Sequence, residues 1–367
     1  MPVPMIDLKA QYATIRDEVN AAVLGVLESQ QFRGGPEADD FERELAEFSQ
    51  AKHAVALASG TDALLLLFKA LGIGPGDEVI TTPFTFFATG GALVNAGATP
   101  VFADIEPGTF NLNPESVRTA LSPKTKAILP VHLYGQCANL DALRALAAEA
   151  GVTVIEDAAQ ALGACYRDQP LATGTAGAAL SFYPTKNLGA AGEGGAVLTN
   201  DDALAERIRL LRCHGSAVQY EHQIVGTNSH LHAIQAAVLR VKLRRLAEWN
   251  DARRAHACYY HKLLEGIEEV VLPEARPECF HVYHQFVIRL PRRDACVALF
   301  KERGIGCGVF YPKPLHLQDC FQGISRALPC PEAERASREV LALPMFAEMT
   351  RAHQEEVADA VRAHAAG

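Results

Sequence analysis

Lys186 stands in the stretch Ser181-Phe-Tyr-Pro-Thr-Lys186-Asn-Leu-Gly189, between an aromatic segment and the glycine-rich run Gly189 to Gly195. Water serves such a place poorly, and lost solvation disfavours the charged ammonium, which makes Lys186 a candidate nucleophile. Position alone favours an ordinary exposed lysine, so its companions decide. Asp157 closes the run Ile155-Glu-Asp-Ala-Ala-Gln160. A carboxylate in that setting needs a cation or a protonated ring nitrogen, because an unpaired buried charge is costly; its plain alternative is a helix N-cap. Ser59-Gly60-Thr61-Asp62 precedes a helical pattern whose first N–H groups are free, which suits either a phosphate or a simple cap. Pro83-Phe-Thr-Phe86-Phe87 sets aromatics at another strand end, where one could cover a flat ring or fill the core.

The elements that must position these residues alternate. Helical spacing of Ile15, Val19, Val23 and Leu27 predicts a helix over 12–29, and a second follows over 36–49. Strands are expected at 53–58, 78–82, 99–103, 126–131, 152–156 and around 178–182, with helices at 64–71, 86–96, from 114, and at 140–150 between them. Alternation of this kind implies a mainly parallel sheet covered by helices on both faces, whose ligands lie at the strands' carboxyl ends. A long helix is expected from 233 to 250, running on to 264. Beyond Trp249 a shorter α+β pattern reads as strand 284–290, helix 294–303, strand 306–310 and a final helix within 354–365. The expected domains are therefore 1–249 and 250–367.

The 367 residues carry 34 basic and 43 acidic side chains, a net charge of −9 without a basic stripe, which argues against nucleic acid as a partner. The nine cysteines are scattered with no C-x-x-C pair and read as free thiols of a reducing cytoplasm. The first ten residues lack a basic and then apolar leader, and no window reaches 18 apolar residues, so a soluble, untargeted chain is expected, with no membrane partner.

Gly60-Thr61, Phe86, Asp157, Gln160, Ser181 and Lys186 together describe one cofactor: pyridoxal 5′-phosphate needs a phosphate cradle, a ring cover, a carboxylate at its pyridine nitrogen and a lysine for its aldehyde. At this point the chain resembles the DegT/StrS group of fold-type I, pyridoxal-phosphate-dependent nucleotide-sugar aminotransferases. The resemblance runs from Gly35-Pro-Glu37 through Gly60-Thr-Asp-Ala-Leu64, Pro130-Val-His-Leu-Tyr-Gly135, Ser181-Phe-Tyr-Pro-Thr-Lys186 and Gly226-Thr-Asn-Ser229 to Tyr311-Pro-Lys-Pro-Leu-His316. It implies an α/β fold with a seven-stranded, mainly parallel sheet in the large domain and a smaller C-terminal α+β domain. It also implies that Lys186 is the Schiff-base lysine and that Asp157 holds the pyridine nitrogen. Gln160 lies beside the ring, Phe86 stacks on it, and Gly60, Thr61 and Ser181 bind the phosphate. Asn228 comes from the neighbouring subunit of a homodimer with shared active sites. Tyr183, His230, Tyr311 and His316 fall at substrate-binding positions.

The implied reaction moves an amino group from an amino acid, L-glutamate, to the C3 keto group of a nucleotide-linked sugar, giving an amino sugar for glycan, lipopolysaccharide or glycoside biosynthesis. C4 amination and a non-catalytic cofactor-binding sensor are the alternatives. Sugar dehydratases of the same group carry histidine where Lys186 stands. One departure is marked: the family's Asn-x-Arg is here Asn228-Ser-His230, so a histidine replaces a carboxylate-binding fork, with Arg33 and Arg212 the candidates to substitute. His230-Leu-His232 as a metal pair lacks a carboxylate partner.

Overall fold

The structure, a computed structural model, describes residues 2–366. Its central sheet runs His53–Leu57, Gly195–Thr199, Ala178–Ser181, 153–157, Thr125–Leu129, Glu78–Thr81 and Thr99–Phe102, the number the resemblance implies; six lie where the sequence pattern put strands, and Gly195–Thr199 is the seventh. Thr153–Val154 and Glu156–Asp157 form one continuous line, because Ile155 N donates to Ile128 O at 2.9 Å and Asp157 N to Pro130 O at 2.9 Å. Only Gly195–Thr199 runs against its neighbours. An eighth, two-residue strand, Arg326–Ala327, extends the far edge in parallel.

The apolar runs explain this layering, since side chains along a strand alternate between faces. Ala54, Ala56, Leu180 and Leu198 enter one core, while Val55, Leu57, Ala179 and Val197 enter another. Both faces of the sheet are therefore dry, as a parallel sheet requires. A separate core gathers Ala257, Tyr260, Phe286, Ile288, Phe300, Leu341, Leu343 and Val361, and the N-terminal Val3 joins it through a bridge to Ile305.

Three local expectations change. The first helix spans Leu8–Ser29, begun by Asp7, whose side chain accepts from Lys9 N and Ala10 N. Its buried stripe ends on Val26 while Leu27 is 42% exposed. Steps of four drift about 40° each around a helix of 3.6 residues per turn, so by residue 27 the regular spacing has left the core face. The long helix from 233 is interrupted: Ala233–Leu243 stops, Arg245 N bonds back to Lys242 O, and Leu246–Leu264 resumes. Apolar periodicity restarts at once across that break and so conceals it.

The expected strand at 306–310 is reduced to a bridge between Gly308 and Ala342. The partner of Phe286–Arg289 is instead Val340–Leu343, a four-residue apolar strand directly after the helix Pro331–Glu339.

Candidate active site

The carboxyl ends of the parallel strands converge on one edge, and the chemistry-bearing residues of five of them meet there. Ser181 ends Ala178–Ser181, and the chain turns at once: Tyr183 O accepts from Lys186 N at 2.8 Å. Phe182 is fully buried and meets Phe41 edge-on at 5.4 Å between ring centroids, pinning the turn from below. Burying such a ring contributes about 1.5–3 kcal/mol. Asn187 fastens the turn from the other side. Its amide donates to Asn250 Oδ1 at 2.8 Å and Val282 O at 3.2 Å, and its Oδ1 lies 3.1 Å from His284 Nδ1. Lys242 Nζ adds a bond to Gly189 O at 2.7 Å.

Held in this way, Lys186 is partly buried and its amino group has no hydrogen-bond acceptor among the described residues. Burial, opposed by the nearby Asp157 carboxylate, brings its pKa down to about 8. The amine is therefore a usable nucleophile near neutral pH. Asp157 is 4% exposed; Thr89 Oγ1 donates to its Oδ2 at 2.8 Å and Ala159 N to its Oδ1 at 3.2 Å. Burial raises its pKa, while the Thr89 and Ala159 bonds and the charge of Lys186 pull it back down. No helix follows Asp157, which removes its reading as a helix cap.

Ser59 does cap the helix Gly60–Ala70, its Oγ accepting from Asp62 N at 3.1 Å. That cap leaves the N–H groups of Gly60 and Thr61 without a protein acceptor among the described residues. A Cβ on Gly60 would sit 2.6 Å from Ser181 Cβ, so only glycine lets this helix start lie against the Ser181 strand end. Free N–H groups, a hydroxyl and a helix N-terminus in one notch match a phosphate. Phe86 is 60% exposed at the N-cap of Phe87–Ala96, whereas its neighbour Phe87 packs on Phe321 at 5.6 Å. Phe86 is thus not a core residue, and its free ring is suited to cover a flat ligand. Phosphate notch, open ring, buried carboxylate and solvent-starved amine all fit pyridoxal phosphate.

Gln160 is fixed between two tyrosines: Tyr134 N donates to its Oε1 at 2.7 Å, and its Nε2 donates to Tyr311 OH at 3.1 Å. Tyr311 thereby joins the site, its phenol pKa pushed up by burial. Tyr183 is exposed at the rim of the lysine turn. Asn228 is exposed, with no side-chain bond among the described residues, although the next residue seats its segment on the notch: Ala58 N donates to Ser229 O at 3.2 Å and Ser229 Oγ to Asp62 Oδ2 at 2.6 Å. His230 Nε2 lies 2.8 Å from Arg33 Nη2. His316 Nε2 lies 3.2 Å from Glu334; among the described residues its buried Nδ1 has no partner, and no hydrogen bond links it to the Lys186 group.

Sequence reasoning missed Thr89, whose signal is a hydroxyl one turn into an otherwise apolar helix start. It also missed the fully buried pair His132 and Glu156, 2.8 Å apart. Ala138 N donates to His132 Nδ1, so Nε2 carries the proton toward Glu156, and His132 N in turn holds Asp157 O at 2.9 Å. His284 was missed too; burial, then the charge of Lys186, holds its pKa well below the ordinary value.

A pH test follows from the lysine. Only the neutral amine can capture the cofactor aldehyde, so apoprotein should take up pyridoxal phosphate with a midpoint near pH 8, about tenfold faster at pH 9 than at pH 7. Stopped-flow absorbance measures this, and a midpoint near the free-lysine value would contradict the burial argument.

Among the described residues no helix is long and apolar enough to cross a membrane. Residues 13–362 match the family model described as the DegT/DnrJ/EryC1/StrS aminotransferase family. A Geobacillus stearothermophilus protein named pleiotropic regulatory protein is 47% identical, over 98% of both chains. The dTDP-3-amino-3,4,6-trideoxy-alpha-D-glucose transaminase of Streptomyces venezuelae is 46% identical, over 98% of this chain and 95% of its own. The crystal structure of S. venezuelae DesV in complex with a ketimine intermediate superposes with a TM-score of 0.96 at 45% identity, covering 99% of this chain and 98% of that one.

Proposed function

This chain belongs to the DegT/DnrJ/EryC1/StrS aminotransferase family, and from that premise we infer that it moves an amino group from L-glutamate to the C3 keto group of a nucleotide-linked sugar. The observation that carries the reading is the buried Lys186 facing Asp157 beside the notch at Gly60. The name of the S. venezuelae transaminase supports position C3.

Pyridoxal phosphate, when bound, supplies an aldehyde carbon for the amine and an electron-withdrawing ring. The chain's residues do the rest. Gly60 and Thr61 N–H groups with Ser181 would hold the phosphate, and Phe86 would shield the ring from water. Asp157, steadied by Thr89 and Ala159, keeps the ring nitrogen protonated. Gln160, held by Tyr311, would lie beside the ring. Lys186, poised near pH 8, takes a proton from the donor's α-carbon and returns one to the acceptor side. Tyr183, His230 and Tyr311 face substrate, with His316 outside their hydrogen-bonded group.

Residues 1–249 form the cofactor-binding unit and 250–367 the smaller one, a division supported by the separate core around Tyr260 and Phe286. The working form is a homodimer in which a second copy brings Asn228. Supporting this, the hairpin Ser216–Val218 with Glu221–His222 carries Tyr220, 86% exposed, and Val225 beyond it is 93% exposed. The unpaired cysteines support a reducing compartment, the cytoplasm.

The test is to expose holoprotein to glutamate alone and then offer 3-keto and 4-keto nucleotide sugars while following the cofactor's visible band. A 3-keto sugar should restore it. Restoration by 4-keto sugars only would move the reaction to C4, and response to none would favour the non-catalytic sensor reading. Light scattering of the same sample should return a dimer mass, and a monomer mass removes the shared site.

A further inference from the structure

Arg33 is an exposed guanidinium with no carboxylate in ion-pair range among the described residues. Its backbone is nonetheless pinned, by a bridge to His232 and by the bond from Ala233 N to Phe32 O at 3.0 Å. Its Nη2 lies 2.8 Å from His230 Nε2 and 3.6 Å from Cys213 Sγ, while Nε and Nη1 make no protein bond. A guanidinium only donates, so His230 Nε2 must accept and carry no proton. Burial and then the charge of Arg33 keep that histidine neutral, its pKa down at about 4. Arg212, the other cation nearby, is already used: Nη1 donates to Glu42 and to Ala56 O.

The place matters as much as the pair. His230 directly follows Ser229, whose carbonyl and hydroxyl are bonded to Ala58 and Asp62 on either side of the Ser59-Gly60 turn. We infer that Arg33 is the cation with which this chain grips a carboxylate or phosphate oxygen of its substrate, and that His230 aims it. A free exposed arginine samples many rotamers, and ordering one costs entropy. Holding Nη2 against the neutral His230 Nε2 and Cys213 Sγ selects the rotamer while leaving Nε and Nη1 free to donate to an oxyanion. A carboxylate at position 230 would neutralise the guanidinium, and a second arginine would repel it; histidine orients it without either effect.

The inference rests on the aminotransferase reading, and the oxyanion has two sources: the donor's carboxylate or the sugar nucleotide's diphosphate. Holoprotein of wild type, Arg33→Gln, Arg33→Lys, His230→Leu and the Arg33→Gln/His230→Leu double variant would be titrated calorimetrically with glutarate, uridine diphosphate and thymidine diphosphate. Glutamate KM and kcat would be measured alongside. Arg33→Gln should weaken one ligand class by about 10- to 100-fold and raise KM more than it lowers kcat, with Arg33→Lys recovering part. His230→Leu should weaken the same class when Arg33 is present and add nothing when it is absent, as a positioning residue must. Loss for glutarate assigns the donor carboxylate, and loss for the diphosphates assigns the nucleotide. Affinities within twofold of wild type for all three ligands overturn the proposal, even if turnover is normal. A selective loss in protein that turns over no substrate would keep the oxyanion site and sink the aminotransferase reading instead.

Discussion

Lys186→Ala is expected to lower turnover by on the order of 10⁴-fold, because it removes both the covalent partner of the cofactor and the proton carrier. The purified variant should also lack the visible band of lysine-bound cofactor. The fold should survive, since the turn is held by Phe182, Asn187 and Lys242 rather than by the amine. Stability against pH gives a second readout. The folded lysine titrates at about 8 and the unfolded one at 10.5, so between those values the unfolded chain binds more protons and stability rises with pH. Urea titrations of wild-type apoprotein should show that rise from pH 8 to 10.5, and Lys186→Ala should show a smaller one, because Lys242, also held down at about 8 by burial, still contributes. Turnover close to wild type would remove Lys186 from the reaction altogether.

Asp157→Asn keeps the shape of the side chain and an oxygen for Thr89 to donate to, but removes the negative charge. Turnover is expected to fall by about 10²- to 10³-fold, the range found when preorganised electrostatic stabilisation is deleted. The same change should act in the opposite direction on cofactor capture. Asp157 is what pulls the Lys186 pKa upward, so without it the midpoint moves below about 8 and capture at pH 7 becomes faster. A disturbed fold would slow both processes. Slower capture together with slower turnover would therefore show that the carboxylate acts through structure and not charge.

The residues legible in sequence were those at strand ends with a turn signal beside them: Ser59-Gly60, Asp157, and Ser181 to Lys186. Each combines an apolar run with a polar stop, a local pattern. Thr89, Glu156 and His284 were not legible because their roles depend on partners 68, 24 and 97 residues away in the chain. The parallel sheet followed from alternation, whereas the strand Val340–Leu343 was hidden because four apolar residues after a helix show no period of their own. His316 keeps its motif intact, with Nε2 3.2 Å from Glu334 and a buried Nδ1 that has no partner among the described residues.

Asn187 reaches across the chain to Asn250, Val282 and His284, all on the far side of the division proposed near residue 249. The immediate neighbour of the reactive amine is thus fixed by the half of the protein that contributes least to holding the cofactor. Anyone recombining relatives of this chain to exchange sugar preference would naturally cut at that division. A chimera joined there inherits Asn187 from one parent and its three anchors from the other. Because Val282 offers only its backbone carbonyl, Asn187, Asn250 and His284 form the compatibility set, and hybrids that match at all three should keep a correctly seated lysine while mismatched ones fold with it misplaced.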